Sequence, residues 1–134
     1  MQSLSKATAL DMLEFVSMRT NLAMTCMEGV SGAQELLLSN EGMNLFDATC
    51  MRLQTIGETM KKLDTFTGGN LLKCYKEIFW RDIFGLRNII SHDYLAIDPE
   101  LIFDVVSIEL PVLSLSLQSI ISDVKAGKHD SLFR

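Results

Sequence analysis

Apolar residues recur at intervals of three or four positions along most of this chain, and that spacing constrains the fold more than any other feature. It places side chains on one face of an α-helix, whereas a half-buried strand needs apolar and polar residues in alternation. No segment of the sequence shows that alternation. The clearest helical stripe, in residues 44–63, consists of Phe46, Thr49, Leu53, Ile56, Met60 and Leu63. The pattern therefore predicts an all-α protein.

Breaks in this periodicity divide the chain into four main helices. Asp98 and Pro99 form a typical N-cap and first turn for the last helix, and Pro111 should kink that helix by removing one backbone hydrogen bond. We therefore predict that residues 1–134 form a single domain, an antiparallel four-helix bundle with a short extra helix and a Pro-kinked last helix. The expected bounds are residues 5–28, 44–63, 71–94 with an irregularity near Trp80, and 98 onward, with the short helix at 33–38.

The composition narrows the class of protein further. With 48% hydrophobic and 22% charged residues, the chain should fold rather than stay disordered. No apolar run reaches the roughly eighteen residues of a membrane span. Asp11 and Glu14 interrupt the region where a signal peptide would be apolar, so we expect a cytoplasmic protein. The three cysteines form no C-x-x-C pair, which argues against a disulfide framework or a zinc site and suggests mostly buried core residues.

The net charge of −5 is at first sight unfavourable for a nucleic-acid-binding protein, because Lys and Arg supply the affinity for phosphate. The charges are unevenly distributed, however. Residues 52–87 contain seven basic side chains and four acidic ones. A local basic surface can therefore exist on an acidic protein, although solvated helix faces that happen to be basic explain the same count.

The most informative stretch is residues 80–98. On a helical wheel at about 100° per residue, Arg81, Gly85, Asn88 and His92 fall on one narrow face. Arg87 and Tyr94, seven residues apart, share a second position. A polar face that carries a glycine suits close approach by another helix or by a substrate backbone. Taken alone, the same residues fit a solvated helix surface better than a functional site.

The arrangement Arg87-Asn88-x-x-x-His92-x-Tyr94 resembles the R-x4-H-x-Y signature of the HepT-like toxin family within the HEPN superfamily. The resemblance covers residues 47–121. Three neighbouring features also match that family: Gly57-Glu58 in the preceding helix, Trp80-Arg81 before the signature, and Leu110-Pro111 in the last helix.

This resemblance implies an HEPN-like helical bundle with metal-independent endoribonuclease activity and no cofactor. Arg87 and His92 would act at the scissile phosphate of an RNA substrate, and Asn88 would orient the histidine or the phosphate. The chemistry suits these residues, since histidine titrates near neutral pH and arginine offers a planar charged fork. Arg81 and Glu58 are candidates for supporting roles, although for Glu58 on the second helix a structural role is the more usual one.

The resemblance also implies how such a protein is controlled. It suggests the toxin of a toxin–antitoxin pair, a homodimer held inactive by a minimal nucleotidyltransferase that attaches AMP to Tyr94. Asp93 departs from the small residue common at that position, which puts catalytic strength in question more than the fold. Two alternatives stay open: a catalytically silent HEPN module that binds a nucleotidyltransferase, and an unrelated helical adaptor.

Overall fold

The computed structural model describes residues 4–89 and 96–134, and this part of the chain consists of helices and turns without β-strands. The N-terminal half contains α1 (Lys6–Met27), a 3-10 turn (Ala33–Leu37) and α2 (Asn40–Phe66). The middle contains a 3-10 turn (Leu72–Cys74), α3 (Trp80–Gly85) and another 3-10 turn (Leu86–Asn88). The C-terminal part contains α4 (Pro99–Asp104), a π-helical turn (Val105–Glu109), α5 (Leu110–Lys125) and a 3-10 turn (Asp130–Leu132).

The main helices begin where a short polar side chain can cap them. Ser5, Ser39 and Asp98 each accept a hydrogen bond from a backbone N–H of the first turn, which would otherwise lack a helical partner. Because Ser39 supplies this cap, α2 begins earlier than the expected residue 44. It ends where Gly68 and Gly69 adopt positive φ angles of 62° and 74°, at the predicted break.

The core lies where α1 packs against α2 and α5. The prediction of an all-helical bundle is therefore confirmed. The irregularity expected at Pro111 takes the form of the π-helical turn just before it, in which the Leu110 N–H donates to the Val105 carbonyl oxygen. The fully buried side chains at the centre include Leu13, Val16, Leu53, Ile56, Leu113 and Leu117.

The predicted continuous helix at residues 71–94 is wrong over its first part. The Tyr75 hydroxyl donates to Asp123 Oδ2 at 2.7 Å and accepts from His129 Nε2–H at 2.8 Å. The Trp80 indole N–H donates to the Tyr75 carbonyl oxygen at 3.0 Å. These contacts hold Tyr75 at φ −118° and ψ 75°, outside the helical region, so α3 begins only at Trp80. The last part of the predicted helix, residues 90–95, lies outside the described residues.

The cysteines depart in part from the expectation that they are mostly buried. Cys50 is buried, and burial, followed by the nearby Asp47 charge, raises its thiol pKa to about 11. Cys26 and Cys74 are exposed. Among the described residues, no helix combines the length and apolar character needed to cross a membrane.

Candidate functional site

The residues singled out in the sequence lie on three neighbouring elements. Arg81 is on α3, and Arg87 and Asn88 are in the 3-10 turn that follows it. Glu58 is on α2, which packs against both of these elements. His92 and Tyr94 lie outside the described residues, so their placement relative to this group stays a prediction.

The position of Arg87 depends on a close crossing of two segments. One is α2, and the other is α3 together with the 3-10 turn that follows it. A Cβ atom at Gly57 would lie 2.6 Å from the Arg87 backbone nitrogen and 2.7 Å from the Ile83 carbonyl oxygen. Only a glycine therefore allows the two backbones to come this close. Gly85, expected from the sequence to allow such an approach, has open space around it instead.

The crossing forms an open cleft of about 400 Å³, which we call the basic cleft. Three cationic side chains and no carboxylate are among the described residues that line it. Arg87 and Asn88, which the helical wheel placed on different faces, both line it. The lining residues are Lys61, Arg81, Phe84, Gly85, Arg87 and Asn88.

A second depression of about 340 Å³, the adjoining hollow, lies beside the basic cleft. Lys61 and Arg87 line both depressions and so stand at their boundary. Glu58 lines the adjoining hollow, where its carboxylate is 3.8 Å from Lys62 Nζ. The other lining residues of the hollow are Lys62, Thr65 and Phe66.

The cations of the basic cleft are poorly compensated by nearby acids. Within residues 4–89 and 96–134, no carboxylate lies at ion-pair distance from Arg81 or Arg87. Lys61 Nζ is 3.9 Å from Asp64, longer than a hydrogen bond. Exposed guanidinium groups without a carboxylate partner among the described residues favour an anionic ligand, above all one that carries phosphate. In the same part of the chain, no three His, Cys, Asp or Glu side chains could together hold a metal ion.

Lys61 and Phe84 belong to the site, although the sequence pattern did not predict them as members of it. Lys61 lies one helical turn after Gly57 and therefore on the same face of α2. Its ammonium group stands 5.0 Å from the centre of the Phe84 ring. Had Gly57 been interpreted as the point of contact between the helices, the position four residues later would have been the expected neighbour of Arg87.

The fold and the cleft together define a helical domain with a surface suited to a phosphate-bearing ligand. The chain belongs to the ribonuclease HepT-like family, whose model matches residues 38–120. This match confirms the family suggested by the sequence signature, and with it the prediction of a ribonuclease.

Two proteins of the archaeon Methanocaldococcus jannaschii are similar to this chain. The protein called "Putative RNase MJ1216" is 24% identical over 98 residues, which cover 73% of this chain and 76% of that protein. The protein called "Putative RNase MJ0127" is 27% identical over 85 residues, which cover 63% and 67% respectively. No solved structure matches the chain.

Proposed function

We propose that this protein is an endoribonuclease that cleaves RNA in the basic cleft without a metal ion. The observation that carries the proposal is the convergence of Lys61, Arg81 and Arg87 on one cleft whose described lining contains no carboxylate, in a chain of a ribonuclease family. RNA supplies its own nucleophile, the 2′-hydroxyl. The protein therefore needs to bind the phosphate, stabilise its developing charge and move protons.

In the proposed reaction, the 2′-oxygen forms a bond to phosphorus and the bond from phosphorus to the 5′-oxygen breaks. His92 takes up the proton that the 2′-hydroxyl loses or supplies the one that the departing 5′-oxygen gains, and water supplies or takes up the other. Arg87 pairs with the non-bridging phosphoryl oxygens through its planar fork, and Asn88 orients the phosphate or the histidine. Arg81, which also lines the cleft, adds positive charge.

Cleavage of a labelled RNA in the presence and absence of EDTA tests this function. The wild-type protein should cleave equally well in both conditions, and His92→Ala should lose most activity because general acid–base catalysis contributes about 10²–10⁴-fold. Lys125→Ala, on α5 outside both depressions, is the matched control for loss of a surface charge. Dependence on a metal would contradict the mechanism. Absence of cleavage of every RNA tested would favour the silent binding module instead.

We further propose that the protein is the toxin of a toxin–antitoxin pair whose antitoxin is a minimal nucleotidyltransferase. The partner would transfer AMP from ATP to the Tyr94 phenolic oxygen and release pyrophosphate. The support is the position of Tyr94 in the R-x4-H-x-Y signature of a chain that belongs to the HepT-like family. An added phosphodiester near Arg87 would compete with the RNA phosphate for the same cation.

A homodimer is the assembly that we propose. Large apolar side chains stand exposed beside the π-helical turn: Phe79 is 81% exposed, Ile108 67% and Leu115 68%. Phe79 and Ile108 also line a shallow apolar hollow of about 180 Å³ between α3 and α5. Exposed apolar surface of this kind is typical of protein–protein contacts, and two-fold dimers are the commonest assembly of identical chains.

A further inference from the structure

The Lys61 side chain is held at the boundary between the basic cleft and the adjoining hollow by a series of aromatic contacts. Its ammonium group lies 5.0 Å from the Phe84 ring centre, within the range of a cation–π interaction. Phe84 in turn stacks on Trp80, with ring centroids 6.4 Å apart and an angle of 26° between the planes. The Trp80 indole is fixed by its hydrogen bond to the Tyr75 carbonyl oxygen. This series connects Lys61 to the core.

Such a contact matters because a free lysine side chain loses up to about 2 kcal/mol of rotamer entropy when it binds a ligand. A lysine already restrained by an aromatic ring loses less. The ring attracts the ammonium group without neutralising it, whereas a carboxylate would compete directly with phosphate. Asp64, at 3.9 Å, is too distant to take that charge in a hydrogen bond.

Lys62 is a useful contrast to Lys61 on the same helix. It lines the adjoining hollow but not the basic cleft. Each lysine has a carboxylate at a similar distance, Glu58 at 3.8 Å for Lys62 and Asp64 at 3.9 Å for Lys61, but the Lys62 side chain is 63% exposed against 38% for Lys61. The Lys61 side chain is therefore restrained, and it lines the same two depressions as Arg87.

We infer that Lys61 binds a second phosphate of the RNA strand, next to the phosphate held by Arg87. The strand then runs from the basic cleft across the α2–α3 crossing into the adjoining hollow. Phe84 is a positioning residue for the Lys61 ammonium group. This inference rests on the proposed function, because it specifies how the same site holds a single-stranded RNA on one side of the bond that is cleaved.

The test is the salt dependence of binding to a 2′-O-methyl RNA oligonucleotide, which lacks the nucleophile and therefore cannot be cleaved. Fluorescence anisotropy over a series of NaCl concentrations gives the slope of log Kobs against log salt. Each lost phosphate contact on a single strand lowers the magnitude of that slope by about 0.7. We expect this decrease for Lys61→Gln, no decrease for Lys61→Arg, and none for the control Lys125→Gln.

Phe84→Leu separates positioning from charge. It keeps an apolar side chain and all the cations, so the slope should stay near the wild-type value while affinity at any one salt concentration falls. Equal slopes for Lys61→Gln and Lys125→Gln, in a wild-type protein that binds and cleaves RNA, would overturn the role of Lys61 alone. A wild-type protein that neither binds the oligonucleotide nor cleaves RNA would overturn the proposed function as well.

Discussion

Gly57 on α2 lies directly against the backbone of Arg87, so close that a Cβ atom at Gly57 would stand 2.6 Å from the Arg87 nitrogen. Gly57 lies within α2 and Arg87 within the 3-10 turn after α3, so neither backbone can move aside without shifting the crossing. The residue that allows the two segments to touch therefore also fixes where the cleft arginine stands.

Gly57→Ala should consequently lower both stability and cleavage. Overpacking of this kind costs about 1–3 kcal/mol, more than the roughly 1 kcal/mol that alanine gains over glycine in a helix. A displacement of about 1 Å at a catalytic group can cost about 10²-fold in rate. Urea unfolding and RNA cleavage are the measurements. Gly85→Ala is the control for stability, since no atom of the described residues lies within 4 Å of its added Cβ, and it should unfold no more easily than the wild type.

Arg87→Lys tests whether the guanidinium fork, rather than charge alone, is required. Lysine keeps the positive charge but cannot pair with two phosphoryl oxygens in a plane. We expect nearly unchanged binding of the 2′-O-methyl oligonucleotide and cleavage slower by about 10²–10³-fold, the usual cost of losing one oxyanion-stabilising donor. Arg19→Lys on α1, outside both depressions, is the matched control. Wild-type cleavage by Arg87→Lys would show that Arg87 contributes charge only.

The Tyr75–Asp123 hydrogen bond should make stability depend on pH. The bond from Tyr75, and then Lys128, lower the pKa of the Asp123 carboxyl below its ordinary 3.8, while burial and then this bond raise the pKa of Tyr75. The stability that the Asp123 carboxylate contributes to the fold is therefore present above about pH 4, and it is lost as pH falls through the pKa of Asp123 in the folded protein. The Tyr75 contribution is present below its ordinary value of 10.0 and lost only at higher pH.

The comparison of wild type with Tyr75→Phe over a pH series measures this dependence. We expect the variant to have a lower unfolding midpoint than the wild type at neutral pH. The difference between the two midpoints should narrow as pH falls below about 4. A gap that is constant down to strongly acidic pH would show that packing of the hydroxyl, and not the bond to Asp123, stabilises the fold. Thr8→Val, which removes an exposed hydroxyl from α1, should show no such pH dependence.

The sequence predicted those parts of the fold that depend on local pattern. The helices α1, α2 and α5 follow long apolar stripes, and the side-chain caps that begin α1, α2 and α4 act within a few residues. The region of residues 71–79 was predicted incorrectly because its conformation depends on Tyr75, whose partners lie 48 and 54 positions away. Helical periodicity contains no information about such distant contacts.

The candidate site, too, was predicted only where its residues lie close together in the sequence. Arg81, Arg87 and Asn88 were found from a signature within one short segment, and all three line the basic cleft. Lys61 belongs to a different helix, and only the packing at Gly57 brings it beside Arg87. The cysteines give a simpler case, since Cys26 and Cys74 fall on solvent-facing positions that residue type alone does not reveal.

The exposed apolar side chains beside the π-helical turn lead to a prediction about assembly. Light scattering at micromolar concentration should give the mass of two chains for the wild type. The double variant Ile108→Glu with Leu115→Glu should give one chain, with a stability change of only about 0.5 kcal/mol per site because both side chains are exposed. Met18→Glu on α1, 60% exposed, is the matched control and should stay dimeric. A monomeric wild type would contradict the dimer, and a dimeric double variant would place the interface elsewhere.

Modification of Tyr94 can be tested cleanly because the chain contains only two tyrosines. Tyr75 is only 7% exposed, and its hydroxyl is engaged with both Asp123 and His129, so it is a poor acceptor for a nucleotidyl group. Co-expression with a minimal nucleotidyltransferase partner should add one or more AMP units, measured by intact-protein mass spectrometry. The adducts should disappear in Tyr94→Phe and persist in Tyr75→Phe. The modified wild type should lose RNA cleavage, because the new phosphodiester competes with the RNA phosphate for Arg87. An unmodified protein in a fully inhibited complex would mean that the partner acts by covering the cleft.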